Sequence, residues 1–176
     1  MDSVTIIRPH SKIVSSISEP IYTIPYMTAL ARSGLLQISS INLSLATAGN
    51  VICEIKNNST AKLTSIENIL VNSSASLGYS LIRNAALSGS LIPQAIYNVN
   101  DYAAAVTETS ISSAASELVS VSGGDTFINQ IPLANTFSPL IVTPIILKPG
   151  SALYLSASGE LGLNVTVHVV FTEYNI

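Results

Sequence analysis

The sequence predicts an all-β protein, an antiparallel β-sandwich preceded by an extended N-terminal arm, and three observations carry that expectation. First, near the end of the chain Leu161, Leu163, Val165, Val167, Val169 and Phe171 alternate with Gly162, Asn164, Thr166 and His168, with Val170 the one departure. Successive side chains of a strand point to opposite faces, so this run has one buried and one wet face. Second, clusters of Gly, Asn and Ser recur at short intervals between apolar runs, which is the spacing of a sandwich. Third, Pro9, Pro20 and Pro25 punctuate the first 25 residues. Proline removes a backbone donor and restricts the residue before it, so no central strand is expected across those points.

Composition sets the kind of molecule. A chain of 176 residues is long enough for one domain with a core and too short to suggest two. Hydrophobic residues make up 48% and charged ones 10%, against about 25% charged in average soluble domains. The solvent face must therefore be built from Ser, Thr and Asn. A net charge of -3 supplies little self-repulsion, which favours association. No apolar run approaches the roughly 18 residues of a spanning helix, so membrane insertion is not expected. The opening MDSVTIIRPHSKIVSS shows no basic stretch followed by an apolar one and a cleavage site, and no Sec export is expected. The seven Lys and Arg are scattered singly, leaving no basic patch for nucleic acid.

Taken in order, residues 1–30 read as the arm and residues 31–176 as the sandwich. The arm carries the charges Asp2, Arg8, Lys12 and Glu19. Its residues Val4, Ile6, Ile7, Ile13, Val14 and Ile17 are too apolar and too β-branched for a solvated tail. Something must cover them, and these six are the candidate assembly residues, an inter-subunit connector. In Leu35–Leu45 the apolar set Leu36 and Ile38 shifts by one to Ile41, Leu43 and Leu45, which predicts a β-bulge at Ser39-Ser40. Ala48-Gly49-Asn50 turns the chain into a strand over Val51–Lys56, where Cys53, between Val51 and Ile55, reads as a small buried hydrophobe. Asn57-Asn58-Ser59 turns it again into Ala61–Val71. Leu77–Arg83 and Ser90–Val99 read as further strands.

In Asp101–Ser122 the residues Ile111, Ala114, Ala115 and Leu118 fit helical spacing. Ser and Thr are dense there, and their side chains compete for backbone hydrogen bonds, so strand and loop are expected instead. Gly123-Gly124-Asp125 is a turn, followed by strands over Thr126–Ile131 and Leu140–Leu147. Pro149-Gly150 opens a last strand containing Leu153 and Leu155, which with the run from Leu161 reads as a β-hairpin.

No catalytic constellation emerges. The two histidines are His10, in the arm, and His168, on the polar face of the last strand, and neither stands beside a nucleophile. One Cys, two His and dispersed acids offer no metal-ligand cluster. Gly123-Gly124-Asp125 lacks the following Lys of a phosphate cradle. Glu108 with Glu117, and Glu160 with Glu173, are nominal carboxylate pairs with nothing in their spacing to recommend them. The Asn-x-Ser/Thr triplets at Asn42, Asn57, Asn58, Asn72 and Asn164 are what a chain this rich in those residues produces by chance. No cofactor is expected.

The closing run LKPGSALYLSASGELGLNVTVHVVFTEY and the earlier run GNVICEIKNNSTAKLTSIENILVNSSASLGYSLIRN resemble the jelly-roll structural proteins of phage virions and bacterial endospore appendages. The resemblance spans roughly residues 35 to 176. It implies a jelly-roll-like sandwich and a non-enzymatic subunit that assembles with itself, on a spore or cell surface or in a virion, with an anchoring or tip protein as a further partner. Appendage subunits of this kind carry crosslinking cysteines in their N-terminal segment; this arm has none, which speaks against a covalently stapled fibre. The competing expectation is a receptor- or carbohydrate-binding module. Against it stands an aromatic content of 6% with no Trp, which leaves Tyr22, Tyr26, Tyr97, Tyr102 and Tyr154 as contacts.

Overall fold

The computed structural model describes residues 5–7, 12–14, 26–100, 107–141 and 143–176. The arm contributes β1 (Thr5–Ile7) and β2 (Lys12–Val14), followed by α1 (Tyr26–Arg32). The sandwich begins with β3 (Gln37–Ser44), β4 (Gly49–Asn57), β5 (Lys62–Ser73) and β6 (Tyr79–Arg83). Short strands β7 (Ala86–Ser88), β8 (Ile92–Pro93) and β9 (Tyr97–Asn98) lead to β10 (Thr109–Ser116) and β11 (Ser120–Ser122). The chain closes through β12 (Asp125–Gln130), β13 (Ser138–Pro139), β14 (Ile145–Leu147), β15 (Ala152–Gly159) and β16 (Asn164–Asn175).

Two antiparallel sheets face each other. One has the order β13-β5-β16-β3-β9, with β14 also on β5; the other has the order β12-β6-β15-β4-β10-β8. From β3 to β6 the chain changes sheet at every step; from β12 it crosses to β13 and β14, both on β5, then to β15 in the other sheet and back to β16. Such a path, with sequence neighbours mostly on opposite sheets, makes an antiparallel β-sandwich. Between the sheets lie Val51, Cys53 and Ile55 of β4, Ile66, Ile69 and Val71 of β5, Leu153 and Leu155 of β15, and the alternating Val165, Val167, Val169 and Phe171 of β16. All of these are at most 1% exposed. Strand β4 is buried on its other face as well, where Ile52 joins Ile82, Val119 and Tyr154 in a second cluster. Leu87 of β7 and Val121 of β11 pack against it.

The last two strands are not a hairpin. Strand β15 lies between β4 and β6, and β16 between β3 and β5, so Glu160–Leu163 carries the chain from one sheet to the other. That crossing is pinned to the end of β3, since Leu45 N–H donates to the Leu163 carbonyl at 2.9 Å and Gly162 N–H to the Leu45 carbonyl at 2.8 Å. Both strands bury one side in the same core, so a crossover leaves the same alternating pattern as a hairpin.

The bulge also lies elsewhere. Strand β3 pairs with β16 without interruption from Ser44 to Gln37, and Ser39 rather than Ile38 points inward. The buried Ser39 hydroxyl is satisfied by donating to the Ala95 carbonyl at 2.8 Å. The register shift falls instead in β5, where Phe171 faces Ile66 and Val170 faces Asn68, leaving Glu67 as the extra residue. Ile66 and Ile69 show the same three-residue step as Ile38 and Ile41, and only the step in β5 is a bulge. A second shift in β12 falls at Phe127.

Helix α1, which the sequence reading did not anticipate, crosses the boundary drawn at residues 30 and 31. Pro25 immediately precedes it, and Gly34 ends it at φ +70°. Leu35 N–H returns to the Leu30 carbonyl and Gly34 N–H to that of Ala31, the pattern of a glycine-terminated helix. The stretch around residues 109–122 forms β10 and β11, as the Ser and Thr density predicts.

Candidate functional site

One side of the sandwich is left open. Among the described residues strand β12 ends its sheet and pairs with β6 alone, while β14 pairs with β5 alone. Between them runs a groove of about 540 Å³, with Ile128, Leu140, Ile141, Pro144, Ile145 and Ile146 among its lining residues. A smaller, more polar recess of about 260 Å³ adjoins it, sharing Arg83 and Ile146 and adding Asn84, Asp125 and Lys148. Arg83 lies over the Phe127 ring, 4.6 Å from its centroid, a favourable cation–π arrangement. Asn84 Nδ2 donates to Asp125 Oδ2 at 3.0 Å. Gly124, with φ +78°, makes the turn into β12, where a Cβ would run into the Arg83 carbonyl. Large apolar side chains along this segment stay exposed: Ile131 and Leu133 at 73%, Phe137 at 49% and Ile146 at 48%.

The opposite side is closed by the chain itself. Residues 91–99 add β8 to β10 in one sheet and β9 to β3 in the other. Gln94 N–H donates to the Ile111 carbonyl at 2.8 Å and Val99 N–H to that of Leu36 at 3.0 Å. Ile96 packs on the core. Asn98 Nδ2 reaches the Gly34 carbonyl at 2.6 Å, tying the end of α1 to this edge.

A polar cluster anchors the start of β10. Glu173 Oε1 accepts from Thr107 Oγ1 at 2.5 Å, from Thr109 N–H at 2.7 Å, from Thr109 Oγ1 at 2.8 Å and from Glu108 N–H at 3.0 Å. Lys62 Nζ lies 3.0 Å from Glu108 Oε1 and 3.6 Å from Glu173 Oε2. Burial pushes the Glu173 carboxyl up, but the Thr107 and Thr109 hydrogen bonds and the Lys62 charge outweigh it and hold it below the usual value. Glu108 is held low by the Ser59 hydroxyl and then by Lys62. With its carboxylate fully occupied by local donors, Glu173 is built to hold residues 107–109 in place.

The six arm residues divide. Ile6 stands opposite Ile13, Thr5 opposite Val14 and Ile7 opposite Lys12 in the β1–β2 pair. Ile6, Ile7, Ile13 and Val14 thus lie on two paired strands, while Val4 and Ile17 lie outside the described residues. Among the described residues β1 and β2 pair with no other strand.

Of the other residues weighed for chemistry, His10, Tyr22 and Tyr102 also lie outside the described residues. His168 stacks on Phe137, ring centroids 5.1 Å apart. Tyr154 donates to Glu54 Oε1 at 2.9 Å, and burial together with Glu54 raises its hydroxyl to about 12. Cys53 is buried as expected, and burial, with a smaller effect of Glu54, raises its thiol to about 12. Asn57 is 0% exposed and spends its amide on the Lys62 and Leu147 carbonyls, so its triplet is no glycosylation site in the folded protein. Glu108 and Glu173 are drawn together through Lys62, a pairing sequence spacing did not show. Among the described residues no group of three or more His, Cys, Asp and Glu could hold a metal ion. No helix there is long and apolar enough to cross a membrane.

Reading the sequence missed the groove because its walls come from residue 83, from 127, 128 and 130, and from 140, 141 and 143–146, which only the two sheets bring together. The signal available was the density of apolar residues in Phe127–Ile146 without an unbroken strand pattern. No family model matches the chain, and neither a curated protein nor a solved structure matches it.

Proposed function

We propose that this protein is a non-enzymatic structural subunit that assembles with itself through its N-terminal arm into a fibre or shell on a spore or cell surface or in a virion. The observation that carries the reading is the apolar groove along the open side of the sandwich, where Phe127 and Ile146 stay exposed, with Ile131, Leu133 and Phe137 exposed in the chain segment between them. Large exposed apolar patches mark interaction surfaces, and a chain with 10% charged residues has little to keep neighbours apart. The arm supplies a matching donor. Burying its six aliphatic side chains yields about 1.5–3 kcal/mol each, which is of the order of the association cost of about 4–15 kcal/mol.

Deleting residues 1–18 is the direct test. The truncated chain keeps the sheet circular dichroism of the full chain and sediments as a monomer, while the full chain forms particles visible by negative stain. Identical particles from both would remove the arm from the mechanism. A receptor- or carbohydrate-binding module is the second reading, favoured by the groove itself; dispersed small particles from the full chain would point to it.

A further inference from the structure

We infer that the groove between β12 and β14 is the acceptor for the β1–β2 hairpin of a second copy of this chain. The inference rests on the self-assembly reading and names its partner surface.

The hairpin needs a surface. Its two strands have three residues each and, among the described residues, pair only with each other. An isolated two-stranded hairpin is marginal in water and gains stability from a further strand or a packing face.

The groove offers both. Strand β12 runs for six residues with one side unpaired, contains neither Pro nor Lys, and is exposed at every position except Ile128. Short edges, prolines and lysines are the usual guards against pairing with another chain. Here the bulge at Phe127 is the one such device, and it leaves the stretch from Ile128 to Gln130 in regular register. Strand β14, three residues long, matches the length of the arm strands. Adding a strand to such an edge supplies main-chain hydrogen bonds, and the apolar groove takes the side chains.

The fold already closes its other edge in this way, with residues 91–99 lending one short strand to each sheet and Ile96 to the core. On the self-assembly reading the occupant of the open edge comes from a neighbour rather than from the same chain. A hairpin donated by one copy to the groove of the next makes a head-to-tail contact, which closes into a ring or continues as a filament.

The test mixes two full-length variants. The arm variant carries Ile6→Asp and Ile13→Asp; the groove variant carries Phe127→Asp and Ile146→Asp. Each alone sediments as a monomer at concentrations where the wild-type chain assembles. Mixed in equal amounts they form a 1:1 heterodimer that grows no further, because the intact arm of the groove variant docks on the intact groove of the arm variant. A groove variant that assembles like the wild type, beside a monomeric arm variant, overturns the acceptor and leaves arm-driven assembly standing. If both variants assemble, neither the arm nor the groove is the connector and the inference fails; if the wild type does not assemble, the self-assembly reading itself fails. Two monomers with no heterodimer mean that the hairpin folds back on its own chain, which also overturns the inference. Should the double Asp variant lose its sheet spectrum, Phe127→Ser with Ile146→Ser is read by the same outcomes.

Discussion

The two sides of this sandwich meet the same problem with opposite solutions. A sheet edge presents unpaired N–H and C=O groups that invite another chain. On the β8–β9 side, residues 91–99 occupy that position with a proline-containing segment bonded to both sheets. On the β12–β14 side no segment among the described residues does so, and apolar side chains line a groove instead. The first side resembles the interior of a domain and the second half of an interface. Their residues should therefore respond differently to substitution, the closed side in folding stability and the open side in association.

Ile111→Ala should show the largest effect. Ile111 is 1% exposed in β10, and its carbonyl receives Gln94 N–H from the closing segment. A loss of about 2–5 kcal/mol in urea denaturation is expected for a large-to-small core change. A loss below about 1 kcal/mol would mean that the core collapses into the space and that this side is less rigid than its bonds imply.

Glu173→Ala comes next. It removes the acceptor shared by Thr107, Glu108 and Thr109, leaving the Thr109 N–H only Thr107 Oγ1 and its hydroxyl only Thr64 Oγ1, and loosens the start of β10, at about 1–3 kcal/mol. Because the Glu173 carboxyl is held low in the folded chain, its contribution is present above the ordinary glutamate value of about 4.3 and is lost as pH falls through the lower folded value. Glu108 acts in the same direction. Melting curves taken between neutral pH and pH 3 should converge for wild type and variant at the acid end.

Ser39→Ala sharpens the comparison on a single bond, since it leaves the Ala95 carbonyl of the closing segment without its donor. About 1 kcal/mol is expected from denaturant midpoints. Ile146→Asp should be the mildest for folding, within about 0.5 kcal/mol of wild type, because the side chain is already 48% exposed. A larger destabilisation would show that the open side belongs to the core of its own domain and would erase the distinction between the two edges.

Much of the strand content was legible because it rests on short-range facts. The turn clusters around Asn58 and Gly124 separate β4 from β5 and open β12 as their chemistry requires, while the turn read at Ala48-Gly49-Asn50 ends earlier because β4 already begins at Gly49, and the Val165–Phe171 alternation predicts the buried face of β16. Cys53 was placed correctly by its neighbours alone. The candidate surfaces were less visible. The arm residues stood out by composition, but their pairing across β1 and β2 did not, and neither the groove nor the Glu173 cluster has a contiguous sequence to read.

By itself the sequence determined where the longer strands lie and, for most of them, which side is wet, because side-chain alternation and turn chemistry act over a few residues; the strands read over Ser90–Val99 and Leu140–Leu147 shrink to β8 with β9 and to β14. Only the tertiary structure decided which strands are partners. That is why Leu161–Phe171 could be read as half of a hairpin when Glu160–Leu163 in fact crosses between sheets. It is also why the step at Ile38 and the step at Ile66 looked alike, although Ser39 finds the Ala95 carbonyl and only β5 takes the extra residue at Glu67. Partner choice is settled by contacts between residues far apart in the chain, and the open edge between β12 and β14 is defined by the contacts that no described segment makes.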